Sequence, residues 1–137
     1  MNSPVTIDAS VFVSAFTPSE AAHQVSKEFM REIQAAGAPI IVPTLVIPEI
    51  AAAIGRGQEK PDLGFSFAMG VGQLPNVILV DIDKSLAETA AEIAATHRLR
   101  GSDAVYAAVA LRFGTNLVTL DREQQERLKT VVPVSGP

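Results

Sequence analysis

The sequence predicts an α/β fold, a three-layer α/β/α sandwich with a central, mainly parallel sheet. The first reason is that short apolar runs typical of strands alternate with longer segments of helical periodicity, and strands separated by helices pair in parallel. The second is composition: apolar residues make up 47% of the 137 residues and charged residues 19%, which suits a packed core. At this length we expect residues 1–137 to form a single domain.

Five strands are predicted from short runs of aliphatic, mostly β-branched residues, which favour extended structure. The first run ends at Asp8 and the fourth at Asp121. In chain order, the predicted strands cover residues 5–7, 40–42, 77–80, 116–120 and 131–134.

Six helices are predicted from apolar residues at three- and four-residue spacing and from residues that begin or end helices. Ser19, Asp83 and Ser102 are suited to cap helices, and Gly37 and Gly114 to end them. The third helix is the weakest because it is rich in glycine. In chain order, the predicted helices cover residues 19–36, 44–54, 62–73, 84–97, 103–113 and 122–128.

The composition excludes several functional classes. The absence of Cys rules out disulfides, Cys-ligated zinc, iron–sulfur clusters and thiol catalysis, and it fits a cytoplasmic location. We expect no membrane association, because Pro and Glu interrupt the most apolar stretch, residues 38–54, and no basic region precedes an apolar one at the N-terminus. The net charge of −4 by itself disfavours a nucleic-acid partner.

Four acidic residues are expected at one edge of the sheet. Asp8 and Asp121 follow strands directly, and Glu49 and Asp103 lie near helix starts that open onto the same edge. Ligands of parallel sheets bind beyond the carboxyl ends of the strands. Carboxylates gathered in apolar surroundings repel, so either some are protonated or a hard divalent cation lies among them. Oxygen ligands without nearby His or Cys favour Mg²⁺ or Mn²⁺ over zinc.

Each acid also has a purely structural explanation. Asp103 could be a first-turn acid that favours the helix dipole, Asp8 and Asp121 could be turn residues, and Glu49 could be solvated. Their joint position at one predicted edge favours the functional interpretation.

Three arginines flank Asp103 and Asp121 in the sequence, namely Arg98, Arg100 and Arg122. They are either an ordinary charged surface or a local positive rim that allows an acidic protein to hold RNA. Tyr106, one helical turn after Asp103, is expected in the core or beside the acids rather than stacked on bases.

Four segments, in order and in register, resemble the PIN domain. The similarity is strongest to the single-domain, VapC-like ribonuclease toxins of type II toxin–antitoxin pairs, and it covers essentially the whole chain. The segments are VTIDASVFV (residues 5–13), PEIAAAI (48–54), DAVYAAVA (103–110) and LVTLD (117–121).

The resemblance implies a metal-dependent endoribonuclease that hydrolyses RNA through a metal-activated water. Asp8, Asp103 and Asp121 would be the metal ligands, and Glu49 would hold the metal-bound water. The resemblance also implies a cognate antitoxin protein as partner.

Two hydroxyl residues, Ser10 and Thr119, match small hydroxyl positions of the family, where they would hydrogen-bond an acid or a bound water. The apolar, Ala-rich helices further suggest a homodimer.

Two other functions remain open at the level of sequence. One is a phosphatase or phosphotransferase with Asp8 as nucleophile, which is weakened because Ser10, not an Asp, stands two residues on. The other is a catalytically inactive interaction module that binds a partner through an apolar surface.

Overall fold

The computed structural model describes residues 3–137 and has one sheet of parallel strands. Neighbouring strands follow the order β3-β2-β1-β4-β5, and every pairing is parallel, as predicted. The strands are β1 (Val5–Ile7), β2 (Ile40–Pro43), β3 (Val77–Val80), β4 (Asn116–Val118) and β5 (Val134–Ser135).

Helices connect all consecutive strands. The chain moves from β1 through β2 to β3 in one direction, and then returns to β4 and β5 on the other side of β1. Because crossover connections are right-handed, this reversal covers both faces of the sheet with helices and produces the predicted three layers. The helices are α1 (Ala9–Phe16), α2 (His23–Ala36), α3 (Val46–Gly57), α4 (Pro61–Gly72), α5 (Lys84–His97), α6 (Gly101–Phe113) and α7 (Arg122–Leu128).

The core lies between the central strands and α6. Ile7 and Ile40 are fully buried, as expected for inner strands of a sheet covered on both faces. Helix α6 contacts β1, β2 and β4, and its run from Ala107 to Ala110 is completely buried. The small side chains of this run allow α6 to lie close to the sheet, which fixes the height of its first turn above the strand ends.

The structure corrects several predicted boundaries. Helix α1 was not predicted, because it has only eight, mostly apolar residues and these follow the first strand almost directly. Ser19 is not a cap: it lies in a turn closed by the Glu20 amide, which donates to the Thr17 carbonyl, and α2 begins at His23. Ser102 is not a cap either, since α6 begins one residue earlier with Arg100 as its N-cap.

Two strands also differ from prediction at their ends. Strand β4 ends at Val118: the Thr119 amide still donates to the Ser135 carbonyl of β5, but the Thr119 carbonyl accepts from the Gln125 side chain instead of from a strand. Strand β5 begins at Val134, because residues 131 and 132 donate their amides to the Leu128 carbonyl and prolong the turn after α7. By contrast, Asp83 caps α5 as predicted, with its Oδ1 accepting from the Leu86 amide at 2.8 Å.

The direction in which strands are added to the sheet reverses between β1 and β4, which are parallel neighbours. In open parallel sheets the crevice at such a switch point is where ligands bind. None of the helices within residues 3–137 has the length and apolar character needed to cross a membrane.

Candidate active site

An open cleft of about 420 Å³ lies beyond the carboxyl ends of β1 and β4, and all four predicted acids line it. They come from α3, from the first turn of α6, and from the residues that follow β1 and β4. We call this the acidic cleft and define it by Asp8, Glu49, Asp103 and Asp121, with Ser10, Arg56, Arg100 and Gln124 also in its wall. Four segments that are distant in sequence therefore meet at the predicted edge.

Asp8 is the most extensively hydrogen-bonded acid of the cleft. It follows β1, caps α1 and is only 7% exposed. Its Oδ2 accepts from Thr119 Oγ1 at 2.6 Å, from Ser10 Oγ at 3.1 Å and from Gln124 Nε2 at 3.4 Å. These neutral donors replace the water lost on burial and fix the orientation of the carboxylate.

The hydroxyls of Ser10 and Thr119 also hold the turn that carries Asp121. The Leu120 amide donates to Ser10 Oγ at 3.3 Å, and the Asp121 amide donates to Thr119 Oγ1 at 3.1 Å. Asp121 Oδ1 in turn caps α7 by accepting from the Glu123 amide at 2.9 Å. The other oxygen of Asp121, Oδ2, is thereby left toward the cleft.

Asp103 projects from the first turn of α6 and is 8% exposed. Arg100, three residues earlier, donates from Nε to Asp103 Oδ2 at 3.0 Å. Burial raises the pKa of Asp103 above its usual value, whereas the hydrogen bond and charge of Arg100 act to lower it. The nearby carboxylates of Asp8 and Asp121 add to the upward shift.

Glu49, on α3, is held by a tyrosine from α6. Tyr106 is buried, as expected, and its hydroxyl donates to Glu49 Oε1 at 2.6 Å. The pKa of Glu49 lies above its ordinary value, chiefly because of burial. The hydrogen bond from Tyr106 acts to lower this pKa, and the negative charges of Asp8 and Asp103 act to raise it. Burial also raises the pKa of Tyr106 far above its usual range, so its hydroxyl stays a proton donor.

Gln124 is a cleft residue that sequence reasoning missed. It lies on α7 with 2% exposure, and its Nε2 donates to Asp8 while its Oε1 has no hydrogen-bond partner among residues 3–137. Its position could have been predicted from its spacing, because Gln124 lies three residues after Asp121 and residues three apart share one face of a helix.

The three predicted arginines differ in position. Arg100 contacts two acids, with Nη2 3.9 Å from Asp121 Oδ2. Arg98 is the C-cap of α5 and has a positive φ. Together with Arg100 it lines a second hollow that adjoins the acidic cleft. Arg122 is exposed at the start of α7 and lines neither hollow. Arg56, which was not predicted, also lines the acidic cleft.

The donor set of the acidic cleft suits a hard divalent cation. Its ionisable ligands are carboxylates, without Cys or His, which is the preference of Mg²⁺ and Mn²⁺. A positive group, the Arg100 guanidinium, already lies among these carboxylates. Within residues 3–137, however, no three His, Asp or Glu side chains lie close enough together to form a ready-made metal site. The metal role of Asp8, Asp103 and Asp121 stays a prediction.

A parallel sheet, a reversal of strand order between β1 and β4 and a cleft at that point are the features of α/β proteins whose ligand sites lie at a topological switch point. Within that class, the chain belongs to the PIN domain family, because the family model matches residues 5–129. The resemblance noted in the sequence is thus confirmed.

Solved structures share this fold. The chain is similar to Mycobacterium tuberculosis VapC20, a toxin that cleaves the sarcin–ricin loop, with TM-score 0.77 and 17% identity over 89% of this chain and 93% of that one. It is similar to a chain of VapBC2 from Rickettsia felis, bound to promoter DNA, with TM-score 0.69 and 12% identity over 98% of both chains. A toxin–antitoxin complex from Klebsiella pneumoniae gives TM-score 0.66 and 13% identity over 97% of both chains. No curated protein matches the sequence.

Proposed function

We propose that the protein is a metal-dependent endoribonuclease of the cytoplasm and the toxin of a toxin–antitoxin pair. In this proposal, residues 1–137 form one PIN-like nuclease domain. The observation that carries this proposal is the acidic cleft, because carboxylates from four separate segments line this one cleft at the switch point. Family membership and the VapC-type fold neighbours support the same reaction class.

In this proposal, Asp8, Asp103 and Asp121 hold a Mg²⁺ or Mn²⁺ ion. Such an ion, when bound, lowers the pKa of water and stabilises negative charge on a phosphoryl group. Glu49 holds the attacking water and takes up its proton, a role favoured by a carboxyl whose pKa burial raises above its ordinary value. Tyr106 keeps Glu49 in place, and the donors around Asp8 keep that carboxylate oriented.

The proposed substrate is RNA, with Arg98, Arg100 and Arg122 as candidate phosphate contacts. The net charge of −4 is no obstacle, because four of the acids belong to the cleft and would be compensated by a bound cation. The exposed arginines then provide a local positive rim, and local charge, not the total, determines where a phosphate chain binds.

The proposed partners are a cognate antitoxin protein and a second copy of the chain. Solved structures that share the fold are toxin–antitoxin assemblies from other organisms. Large apolar side chains are exposed on α2 and α4, including Val25, Phe65 and Met69, and exposed apolar patches mark interaction surfaces.

The function is tested by RNA cleavage with purified protein in Mg²⁺, in Mn²⁺ and in EDTA. We expect cleavage only with the divalent cation, and we expect Asp8→Asn and Asp103→Asn each to lower it by more than about 100-fold, since even residues that only orient a metal ligand cost 10–100-fold. Asp62→Asn, which changes an exposed acid of α4 outside the cleft, is the matched control and keeps full activity. Cleavage that persists in EDTA contradicts the proposal.

The same variants separate the two alternatives. A phosphatase or phosphotransferase would form a phospho-aspartate on Asp8 that can be trapped and mapped. An inactive interaction module would retain its biological effect after combined Asp8→Asn and Asp103→Asn substitution.

A further inference from the structure

The guanidinium of Arg100 lies between two acids of the cleft. Its Nε is 3.0 Å from Asp103 Oδ2, and its Nη2 lies 3.5 Å from Asp103 Oδ1 and 3.9 Å from Asp121 Oδ2. One positive group therefore bridges a carboxylate of α6 and the carboxylate that caps α7. It links the two elements electrostatically at the mouth of the cleft.

The wider cleft also acts on Arg100. The hydrogen bond to Asp103 raises its pKa most, and the charges of Asp121 and Asp8 raise it further. The side chain of Arg100 is nevertheless 77% exposed, so packing does not hold it in place. Charge keeps it at the cleft, and a competing positive charge can release it.

A divalent cation and this guanidinium compete for the same oxygens. Mg²⁺ requires oxygen ligands at about 2.0–2.1 Å in near-octahedral geometry. The Asp103 and Asp121 oxygens that face the cleft are the ones that contact Arg100.

We infer that Arg100 is an internal counter-cation of the acidic cleft. A divalent cation displaces it from Asp103 and Asp121, and the released guanidinium then binds an RNA phosphate. The inference rests on the proposed function. Guanidinium groups bind phosphate in the same bidentate manner as carboxylate, so the side chain exchanges one anionic partner for another. Substrate binding at Arg100 thereby becomes dependent on the cation.

Metal binding is the first test, measured by calorimetric titration of Mn²⁺ into the wild type, Arg100→Gln and Arg98→Gln. We expect Arg100→Gln to bind Mn²⁺ about fivefold more tightly, which corresponds to the upper range measured for exposed ion pairs. Arg98→Gln removes the same charge from the adjoining hollow without a bond to an acid, and we expect less than about a twofold change.

The outcomes separate the inference from the proposed function. Equal Mn²⁺ affinity in wild type and Arg100→Gln, or an equal gain in both variants, overturns the inference while leaving the proposed function intact. A failure of all three proteins to bind Mn²⁺ overturns the proposed function and the inference with it.

RNA binding is the second test, carried out in a Glu49→Gln background so that the RNA stays intact. The anisotropy of a labelled single-stranded RNA is measured in Mg²⁺ and in EDTA. We expect Mg²⁺ to strengthen binding, and we expect Arg100→Gln to remove that gain. Arg98→Gln should change affinity by the same factor in both conditions. A gain from Mg²⁺ that survives Arg100→Gln contradicts the release of Arg100 onto phosphate.

Discussion

Each acid of the cleft also lies at the N-terminal end of a helix. Asp8 caps α1 and Asp121 caps α7, while Glu49 and Asp103 lie in the first turns of α3 and α6. Negative charge is favoured at these ends by the helix dipole and by free amide groups. The structural and the functional interpretations of the sequence are therefore compatible, because the same position serves both.

Tyr106→Phe tests the support of Glu49. Loss of the hydroxyl removes a hydrogen bond that lowers the pKa of Glu49, so this pKa rises further and Glu49 becomes charged only at higher pH. We expect the acid limb of the pH–activity profile to move to higher pH, with a loss of about 1–2 kcal/mol in the free energy of unfolding.

The control for Tyr106→Phe is a buried residue of α6 without a polar contact to the cleft. Val109→Ala lowers stability through lost packing but leaves the pH profile unchanged. If both variants shift the profile equally, the hydrogen bond of Tyr106 has no specific effect on Glu49.

Among the secondary-structure elements, α3 and α4 are in close contact because of a glycine. A Cβ atom added at Gly64 would lie 2.6 Å from the Ala51 carbonyl oxygen and 2.8 Å from the Gly55 amide nitrogen. These are backbone atoms, which cannot move aside cheaply. Since α3 carries Glu49, the spacing of this helix pair also helps to set the wall of the acidic cleft.

We therefore expect Gly64→Ala to lower the free energy of unfolding by about 1–3 kcal/mol through overpacking. Gly70→Ala, in the same helix, is the matched control: its Cβ meets nothing within 4 Å, and replacing glycine by alanine in a helix should stabilise by up to about 1 kcal/mol. Thermal unfolding of both variants measures the difference. Equal effects would contradict the close helix contact.

The sequence predicted the limits of β1, β3, α5 and α7 but missed α1. The β-branched runs of β1 and β3 have little alternative to extended structure, whereas α1 has only eight, mostly apolar residues and could not be separated from the strand before it. The four acids could be predicted because parallel strands bring their carboxyl ends to one edge. The contacts of Tyr106 with Glu49 and of Gln124 with Asp8 could not, because each joins segments far apart in the chain whose relative position depends on packing.

For the molecule as a whole, the acidic cleft makes stability depend on pH. Burial raises the pKa values of both Glu49 and Asp103 above their ordinary values of 4.5 and 3.8. The folded state therefore binds protons more tightly than the unfolded state, and stability falls as pH rises from those ordinary values through the raised ones.

Denaturant unfolding in EDTA, repeated at several pH values from 4 to 8, measures this dependence. The double variant Glu49→Gln, Asp103→Asn lacks both carboxyl groups, so we expect it to lose part of the decline in stability with rising pH. An identical slope in wild type and double variant would show that these two groups do not cause the decline.

The acids of the cleft stand at positions 8, 49, 103 and 121 of a 137-residue chain. Asp8 and Asp121 meet only where β4 lies beside β1, a pairing between segments that are far apart in the chain. Such long-range pairings form late in folding, because the intervening chain must first be closed into a loop. A partly folded chain without this pairing therefore lacks the complete set of carboxylates, so the proposed cleavage of RNA would require the folded domain.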